Sequence, residues 1–351
     1  MGGGRRLIGG AWLVLAALIA GCAGAGAPPA GAPAAAPGTA SGSAPAAPAH
    51  VRAAYVAIAG NMLPAWIAED QGLFRKYDLD VELSYIAGAA KIAEALVAGE
   101  LDVAVAPASS AMGPALEGAD LTMVASWSNK LAFSAYAQPS IQAPADLRGK
   151  TIGVSRRGSN SEIWATAVLA PFGLAPDRDF TYLSIGGQAE QLAALQNASV
   201  DVAVLTPPTN LRARDLGYRE VLSYRDYRLD YANVGLVTSR HYARDQAATL
   251  DRLLRALAEG TAVLLRDDET TLAVLGRYTK TEQRDLLEET LAFERSRTSR
   301  DMLPTAAGLQ AALDEMAATN PKAVGADPLS FADLGPVQAL NDSGFIASLY
   351  P

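Results

Sequence analysis

One pattern of apolar and polar positions occurs twice in the chain, 99 residues apart. Val81-Glu82-Leu83-Ser84-Tyr85-Ile86-Ala87-Gly88-Ala89-Ala90 aligns with Phe180-Thr181-Tyr182-Leu183-Ser184-Ile185-Gly186-Gly187-Gln188-Ala189. The match continues without a gap to Leu101-Asp102-Val103-Ala104-Val105 beside Val200-Asp201-Val202-Ala203-Val204. Each copy predicts a strand, a Gly-containing turn, a helix and a second strand. In the first helix Ile92, Leu96 and Val97 share a face, and Gly99 suits its C-terminal end. Val103–Val105 and Val202–Leu205 are short and wholly apolar, as buried parallel strands are. The pattern is a βαβ unit present twice. Two unrelated units converging on Ala/Val-rich strings would also match in this way. Duplication is favoured because a strand–helix unit precedes each copy: Ala54–Ile58 with a helix to about Gln71, and Thr151–Val154 with a helix to about Ala170.

The pattern therefore predicts two similar α/β lobes. Leu131–Gln138 reads as a strand leaving the first. Pro139, Pro144 and the turn at Asp146-Leu147-Arg148-Gly149-Lys150 open the second, and Asn233–Thr238 reads as the return. Beyond it, Leu250, Leu253, Leu254, Leu257, Val263 and Leu264 give Gln246–Arg266 helical spacing. Leu286, Leu287, Leu291, Leu309 and Leu313 continue a helix-rich stretch to about Met316, expected to cover the first lobe. Lobe one is thus expected over 51–138 and 236–351 and lobe two over 139–235. Two crossings make a hinge with a cleft.

The N-terminal fifty residues follow another pattern. Arg5 and Arg6 precede Leu7–Ala20, an uncharged and mostly apolar run. It is shorter than the ~20 residues of a spanning helix, so it reads as the core of a signal peptide. Leu18-Ile19-Ala20-Gly21-Cys22 resembles the lipobox of bacterial lipoproteins, in which the Cys is lipidated and becomes the mature N-terminus. The alternative is an ordinary signal peptide with an incidental Cys. Cys22 is the only Cys of the chain. Residues 22–50 then form a lipidated Cys and a tether, because Ala23–Ala49 contain only Ala, Gly, Pro, Ser and Thr. Such a segment has nothing to bury, and as a flexible coil it reaches ~30 Å.

Composition narrows the function. The chain of 351 residues is half hydrophobic, enough for a large core. One Cys excludes an internal disulfide, and two His exclude most His-rich metal sites. The net charge is −8, and removal of 1–21 takes away two Arg and no acid. An acidic chain lacks the basic footprint of a nucleic-acid binder. There is no P-loop or dinucleotide fingerprint. Gly153-Val154-Ser155-Arg156-Arg157-Gly158 has one residue too many for a nucleophile elbow. His241 reads as a surface residue, and Asp267-Asp268-Glu269 as a solvated helix end. No catalytic residue, cofactor or metal is therefore expected.

Four segments resemble one family. Trp66-Ile67-Ala68-Glu69-Asp70-Gln71-Gly72-Leu73-Phe74-Arg75-Lys76-Tyr77-Asp78-Leu79-Asp80-Val81-Glu82-Leu83 is similar to the opening of ABC-importer solute-binding proteins of the nitrate/sulfonate/taurine and pyrimidine-precursor family. Asp146-Leu147-Arg148-Gly149-Lys150-Thr151-Ile152-Gly153-Val154 resembles the start of that family's second lobe, and Gly158-Ser159-Asn160 the turn after it. Asn341-Asp342-Ser343-Gly344-Phe345-Ile346 resembles its C-terminal segment. The resemblance covers about 54–350. It implies an α/β type II periplasmic-binding-protein fold, with each lobe a mostly parallel sheet flanked by helices. It also implies an exported, monomeric, non-enzymatic protein that delivers a small molecule to an ABC permease and its ATPase. A sensor that presents its ligand to a receptor is an alternative. An enzyme on this fold is a weaker one, since the family's synthases use a His and a Cys-rich motif that the body lacks. Family ligands run from nitrate and alkylsulfonates to pyrimidine precursors and aromatic acids.

In open α/β sheets ligands sit beyond the carboxyl ends of the strands. In lobe one that rule selects Asn61 and Met62, Gly88 and Ala89, Ser109 and Ser110, and Trp127 and Ser128. In lobe two it selects Arg156, Ser159 and Asn160, Gly187 and Gln188, and Thr206. Tyr231 and Asn233 stand near the return crossing and are expected to reach the cleft mouth. Several of these loops open helices, whose free N–H groups suit anions. Ser159 and Glu162 fit a capping box. Alternation puts Arg156 and Arg157 on different sides, so one at most faces a ligand; Arg156 is the choice. A guanidinium there favours a carboxylate, sulfonate or phosphate. Trp127 is either a stacking platform or core, while Trp66 and Trp164 read as core. Gly88 and Gly187 occupy matching turns, either for close backbone approach or for a positive φ.

Overall fold

A computed structural model describes residues 47–351. Cys22, the leader and most of the tether lie outside the described residues. Among the described residues, ten strands form two five-stranded sheets. The strands are β1 Ala49–Tyr55, β2 Leu79–Tyr85, β3 Val103–Ala106, β4 Leu121–Leu131, β5 Ser134–Ala137, β6 Lys150–Val154, β7 Phe180–Ser184, β8 Val202–Leu205, β9 Arg219–Leu222 and β10 Leu229–Ser239. The helices of the repeated units are α1 Leu63–Asp70, α2 Leu73–Lys76, α3 Ala89–Val97, α4 Ser109–Leu116, α5 Asn160–Leu169, α6 Gln188–Gln196 and α7 Thr209–Asp215. The C-terminal stretch adds α8 Arg240–Asp245, α9 Ala247–Arg266, α10 Asp268–Thr279, α11 Arg284–Arg295, α12 Ala306–Ala317, α13 Gly335–Asp342 and α14 Phe345–Ser348.

The sheets have one topology. The first runs β2-β1-β3-β10-β4 and the second β7-β6-β8-β5-β9. Three strands of each are parallel, and the strand that arrives from the other lobe pairs antiparallel with the third. The duplication extends to single bonds. Arg52 N donates to Asp102 Oδ2 at 2.8 Å, and 99 residues on Thr151 N donates to Asp201 Oδ2 at 2.8 Å. The Asp of each Asp-Val-Ala-Val string thus pins the start of β3 or β8 to its neighbour.

Strand alternation sorts the core. On β1 and β3, Val51, Ala53, Val103 and Val105 face one apolar cluster with Trp66, Leu254 and Leu257. Ala54, Ala104 and Ala106 face the other, which also holds Ile92, Met112 and Leu309. That second cluster passes through Leu131 and Tyr231 into lobe two, reaching Ile152, Trp164 and Phe180. The C-terminal helices cover lobe one as expected, with α9 against α1 and α12 against β10.

The crossings fall elsewhere than the pattern suggested. Leu131–Gln138 is not one strand. β4 ends at Leu131, and Ser134–Ala137 pairs on both sides with β8 and β9 in the second sheet. The four buried residues of β5 find their partners there, so the chain crosses at Ala132–Phe133. The return lies between Leu222 and Leu229, because β10 is an eleven-residue strand wholly in the first sheet. β1 begins at Ala49, two residues before 51. Among the described residues no helix is long and apolar enough to cross a membrane.

Candidate functional site

The carboxyl ends of β1, β2 and β3 in one lobe and of β6, β7 and β8 in the other carry most of the loops singled out by sequence; Trp127 and Ser128 lie inside β4 instead, because that strand stays paired with β10 as far as Leu131. Between these loops lies Arg156. A Cβ built on Gly88 of lobe one would stand 3.5 Å from Arg156 Nη1 of lobe two. Gly88 has φ +94°, which a side chain would strain, and its bare backbone admits the guanidinium. Among the described residues no carboxylate pairs with Arg156. Arg157 points elsewhere, to Glu162 at 3.3 Å and Asp177 at 3.2 Å, with its guanidinium 5.5 Å from the Tyr182 ring centre. The two neighbours lie on different sides, as alternation requires, and Arg156 is the one at the cleft.

The first turn of α5 departs from a capping box. Ser159 holds the N-cap position, yet its side chain caps nothing. Its hydroxyl pairs with Ser161 Oγ at 2.9 Å, and Ser161 Oγ accepts from Ser155 N at 3.0 Å. Glu162 instead accepts from Gly158 N at 2.7 Å. The hydroxyls are drawn into the loop after β6, so the carboxylate alone closes the turn.

Asn160 joins the lobes. Its Nδ2 donates to Asn233 Oδ1 at 2.8 Å, and Asn233 Nδ2 donates to Lys130 O at 3.2 Å and Ser128 Oγ at 3.4 Å. Behind Ser128 is a pair that sequence reading missed. Arg297 donates to Glu294 at 2.9 Å through both Nε and Nη2, and its Nη1 reaches Ser128 Oγ at 3.4 Å. Both side chains are almost fully buried. Glu294 presses on Gly60, where a Cβ would fall 2.7 Å from Oε1. Burial pushes its carboxyl up against the opposing pull of Arg297. The available signal was the i, i+3 spacing of opposite charges at the end of α11, which looks the same on a solvated face.

Other predicted residues take structural places. Trp127 is core, and its Nε1 donates to the Asn61 carbonyl at 3.0 Å. Asn61 Oδ1 is buried without a protein partner, as is Ser110 Oγ. Met62 is fully buried. Ala89 begins α3 and Ser109 begins α4, both half-buried. Gln188 Oε1 accepts from Thr206 N at 2.8 Å, so these two hold lobe two together. Gly187 caps α6 in an extended conformation; the positive φ of that turn falls on Gly186 instead. Tyr231 does not reach the cleft mouth. It is buried, and its hydroxyl donates to Glu315 Oε2 at 2.9 Å. Burial pushes the Glu315 carboxyl up to about 7, with Glu162 adding to the rise.

The lobes also meet away from this line. Arg212 Nη2 reaches Thr281 Oγ1 at 2.6 Å, and Arg214 pairs with Glu289 at 2.8 Å. Tyr224, on the return crossing, packs edge-to-face on Phe293 with ring centres 4.6 Å apart.

This architecture matches solved solute-binding proteins. The periplasmic aliphatic sulphonate binding protein SsuA from Escherichia coli superimposes with a TM-score of 0.65 at 22% identity, covering 82% of this chain and 92% of that one. The alkanesulfonate-binding protein SsuA from Xanthomonas axonopodis pv. citri gives 0.61 at 22% identity, covering 87% and 96%. The periplasmic nitrate-binding protein NrtA from Synechocystis PCC 6803 gives 0.65 at 14% identity, covering 86% and 91%. At these identities the likeness establishes the type II periplasmic-binding-protein fold. A search of curated proteins by sequence returns no match. A family model described as NMT1/THI5 like matches residues 59–271. That span is more than half of the sequence and takes in both crossings, and the chain belongs to the NMT1/THI5-like family.

Proposed function

We propose that this protein is the extracytoplasmic solute-binding component of an ABC importer. It captures a small organic anion between its lobes and presents it to a membrane permease coupled to an ATPase. The observation that carries this reading is Arg156, a guanidinium with no carboxylate partner among the described residues, set between the lobes against Gly88. A planar, always charged fork in that place suits a sulfonate, carboxylate or phosphate. The relatives named for sulfonate and nitrate binding support an anion of this kind. Asn61 Oδ1 and Ser110 Oγ, buried without protein partners, are acceptor and donor capacity for the rest of the ligand.

Thermal-shift and calorimetric titration with alkanesulfonates, carboxylates and nitrate tests the reading. A ligand at ~100 times its dissociation constant adds about 2.7 kcal/mol of stability. Arg156→Gln should weaken binding ~10- to 100-fold, the scale of a charge-assisted hydrogen bond. If no anion stabilises the wild type, the reading fails.

The leader and the Ala/Gly/Pro tether support export and lipid attachment at Cys22. Mass spectrometry of the mature N-terminus should find a lipidated Cys22, and Cys22→Ser should release the protein from the membrane fraction. An unmodified Cys22 in the membrane-bound protein contradicts the anchor.

A further inference from the structure

The bond from Asn160 of lobe two to Asn233 of lobe one is the outer end of a chain whose direction is fixed from inside lobe one. A guanidinium only donates. Arg297 gives Nε and Nη2 to Glu294 and turns Nη1 to Ser128 Oγ at 3.4 Å, so that oxygen accepts. The Lys130 carbonyl can only accept. Asn233 meets both acceptors with its Nδ2, at 3.4 Å from Ser128 Oγ and 3.2 Å from Lys130 O. Its Oδ1 is thereby turned toward lobe two, where only a donor can satisfy it. Asn160 Nδ2 is that donor, at 2.8 Å.

The backbone is shaped for this contact. Between the pairs Asp230–Lys130 and Val234–Ser128, β10 advances four residues while β4 advances two. The surplus is a bulge, which re-aims the side chains it carries, and Asn233 stands in it. Ser128, Asn233, Glu294 and Arg297 are all buried. A buried polar chain rigidifies its surroundings when every member has a partner and is costly when one lacks it.

Both ends of the chain touch the loops of the cleft. Asn160 opens α5, four residues after Arg156. At the other end Glu294 lies against Gly60, where a Cβ would fall 2.7 Å from Oε1, and Gly60 is in the turn after β1, beside Asn61.

We propose that Asn160 is a latch for closure of the lobes rather than a ligand contact, and that Asn233 and Arg297 are positioning residues that set the polarity of its partner. The proposal rests on the reading that the lobes close on a ligand. It assigns part of what holds them shut to residues outside the anion site. Opening takes the donor from Asn233 Oδ1, while Arg297, Glu294, Ser128, Lys130 and Asn233 stay together within lobe one. The acceptor for lobe two is thus set before closure, and lobe one has nothing to rearrange when the latch forms.

The test measures lobe separation in the protein without added ligand, so it does not depend on which anion binds. Spin labels at Val97→Cys and Leu216→Cys, both exposed and in different lobes, are placed in a chain carrying Cys22→Ser. Double electron–electron resonance then reads the ratio of closed to open molecules. That ratio should fall ~3- to 10-fold in Asn160→Ala and in Asn233→Ala, the scale of one hydrogen bond, and no further in the double variant. Asn160→Asp sets a second acceptor against Asn233 Oδ1 and should open the lobes more than Asn160→Ala. Arg297→Lys keeps a charge beside Glu294 but loses the arm to Ser128, and should give a smaller shift in the same direction. Ser128→Ala reads the same link if Arg297→Lys does not fold. The proposal is overturned if Asn160→Ala and Asn160→Asp keep the wild-type distances, if the effects of the two single alanine variants multiply in the double variant, or if the wild type is fully open. It is also overturned if neither Arg297→Lys nor Ser128→Ala moves the ratio. Thermal-shift titration of the same proteins separates the two readings: a latch that fails here leaves anion binding at Arg156 standing, and a working latch in a protein that no anion stabilises defeats the ligand reading alone.

Discussion

The two lobes share a frame and differ at their loops. Asp102 and Asp201 make the same backbone bond, α3 and α6 have the same length, and both sheets place a crossing strand fourth. At position 61 of lobe one and its counterpart 160 of lobe two stands an Asn. Asn160 reaches across to Asn233, while Asn61 gives its carbonyl to Trp127 and keeps a buried, unpartnered Oδ1. Arg156 has Ala57 as its counterpart, and Ser159 has Gly60. Lobe two therefore brings the cation, and lobe one brings a glycine surface backed by the buried Glu294–Arg297 pair. The duplicated scaffold can keep its strands and diverge in the turns because the strands are held by backbone pairing, in which the turns take no part.

The largest expected effect separates the ion pairs behind these loops. Arg297→Ala leaves Glu294 buried without its partner and should cost about 3–5 kcal/mol in urea unfolding. Arg157→Ala, which breaks the half-exposed pairs on lobe two, should cost about 1 kcal/mol or less. Equal costs would mean that the buried pair is not the support of lobe one.

The repeated aspartates come next. Asp102 accepts from Arg52 N and also from the Arg52 guanidinium at 2.6 and 3.1 Å, whereas Asp201 accepts from Thr151 N and has Lys150 at 4.0 Å. Asp102→Asn should cost ~1.5–3 kcal/mol and Asp201→Asn nearer ~1 kcal/mol. Burial works against the Asp102 charge, but Arg52 holds the carboxyl below its ordinary 3.8. Its contribution is present above that value and is lost as pH falls through the lowered one. Acid unfolding should therefore narrow the gap between wild type and Asp102→Asn.

The turn glycines give the smallest contrast. Gly88→Ala places a side chain at φ +94° and should cost ~1–2 kcal/mol. Gly187→Ala meets only the Glu190 carboxylate, a flexible neighbour, and should stay within about 0.5 kcal/mol. Thermal unfolding of both variants reads the difference.

Much of the frame is visible in the chain because it is local. The Asp-Val-Ala-Val strings, the glycine turns and the spacing of Leu250, Leu254 and Leu257 each state their own conformation. The crossings are not local. Nothing in Leu131-Ala132-Phe133-Ser134 breaks a strand, and only the pairing of Ser134–Ala137 with β8 and β9 shows where the sheets part. In the site, alternation separates Arg156 from Arg157, but the choice between them needs Asp177, twenty residues further on. Glu294, Arg297 and Glu315 read as surface charges until the helices are seen packed over them.

The central claim is that Arg156 holds an anion between the lobes. Native mass spectrometry of the protein purified under mild conditions, beside Arg156→Gln purified in the same way, tests it most directly. The account predicts a small organic anion bound to the wild type and absent from the variant. The same ligand retained equally by both proteins would contradict it.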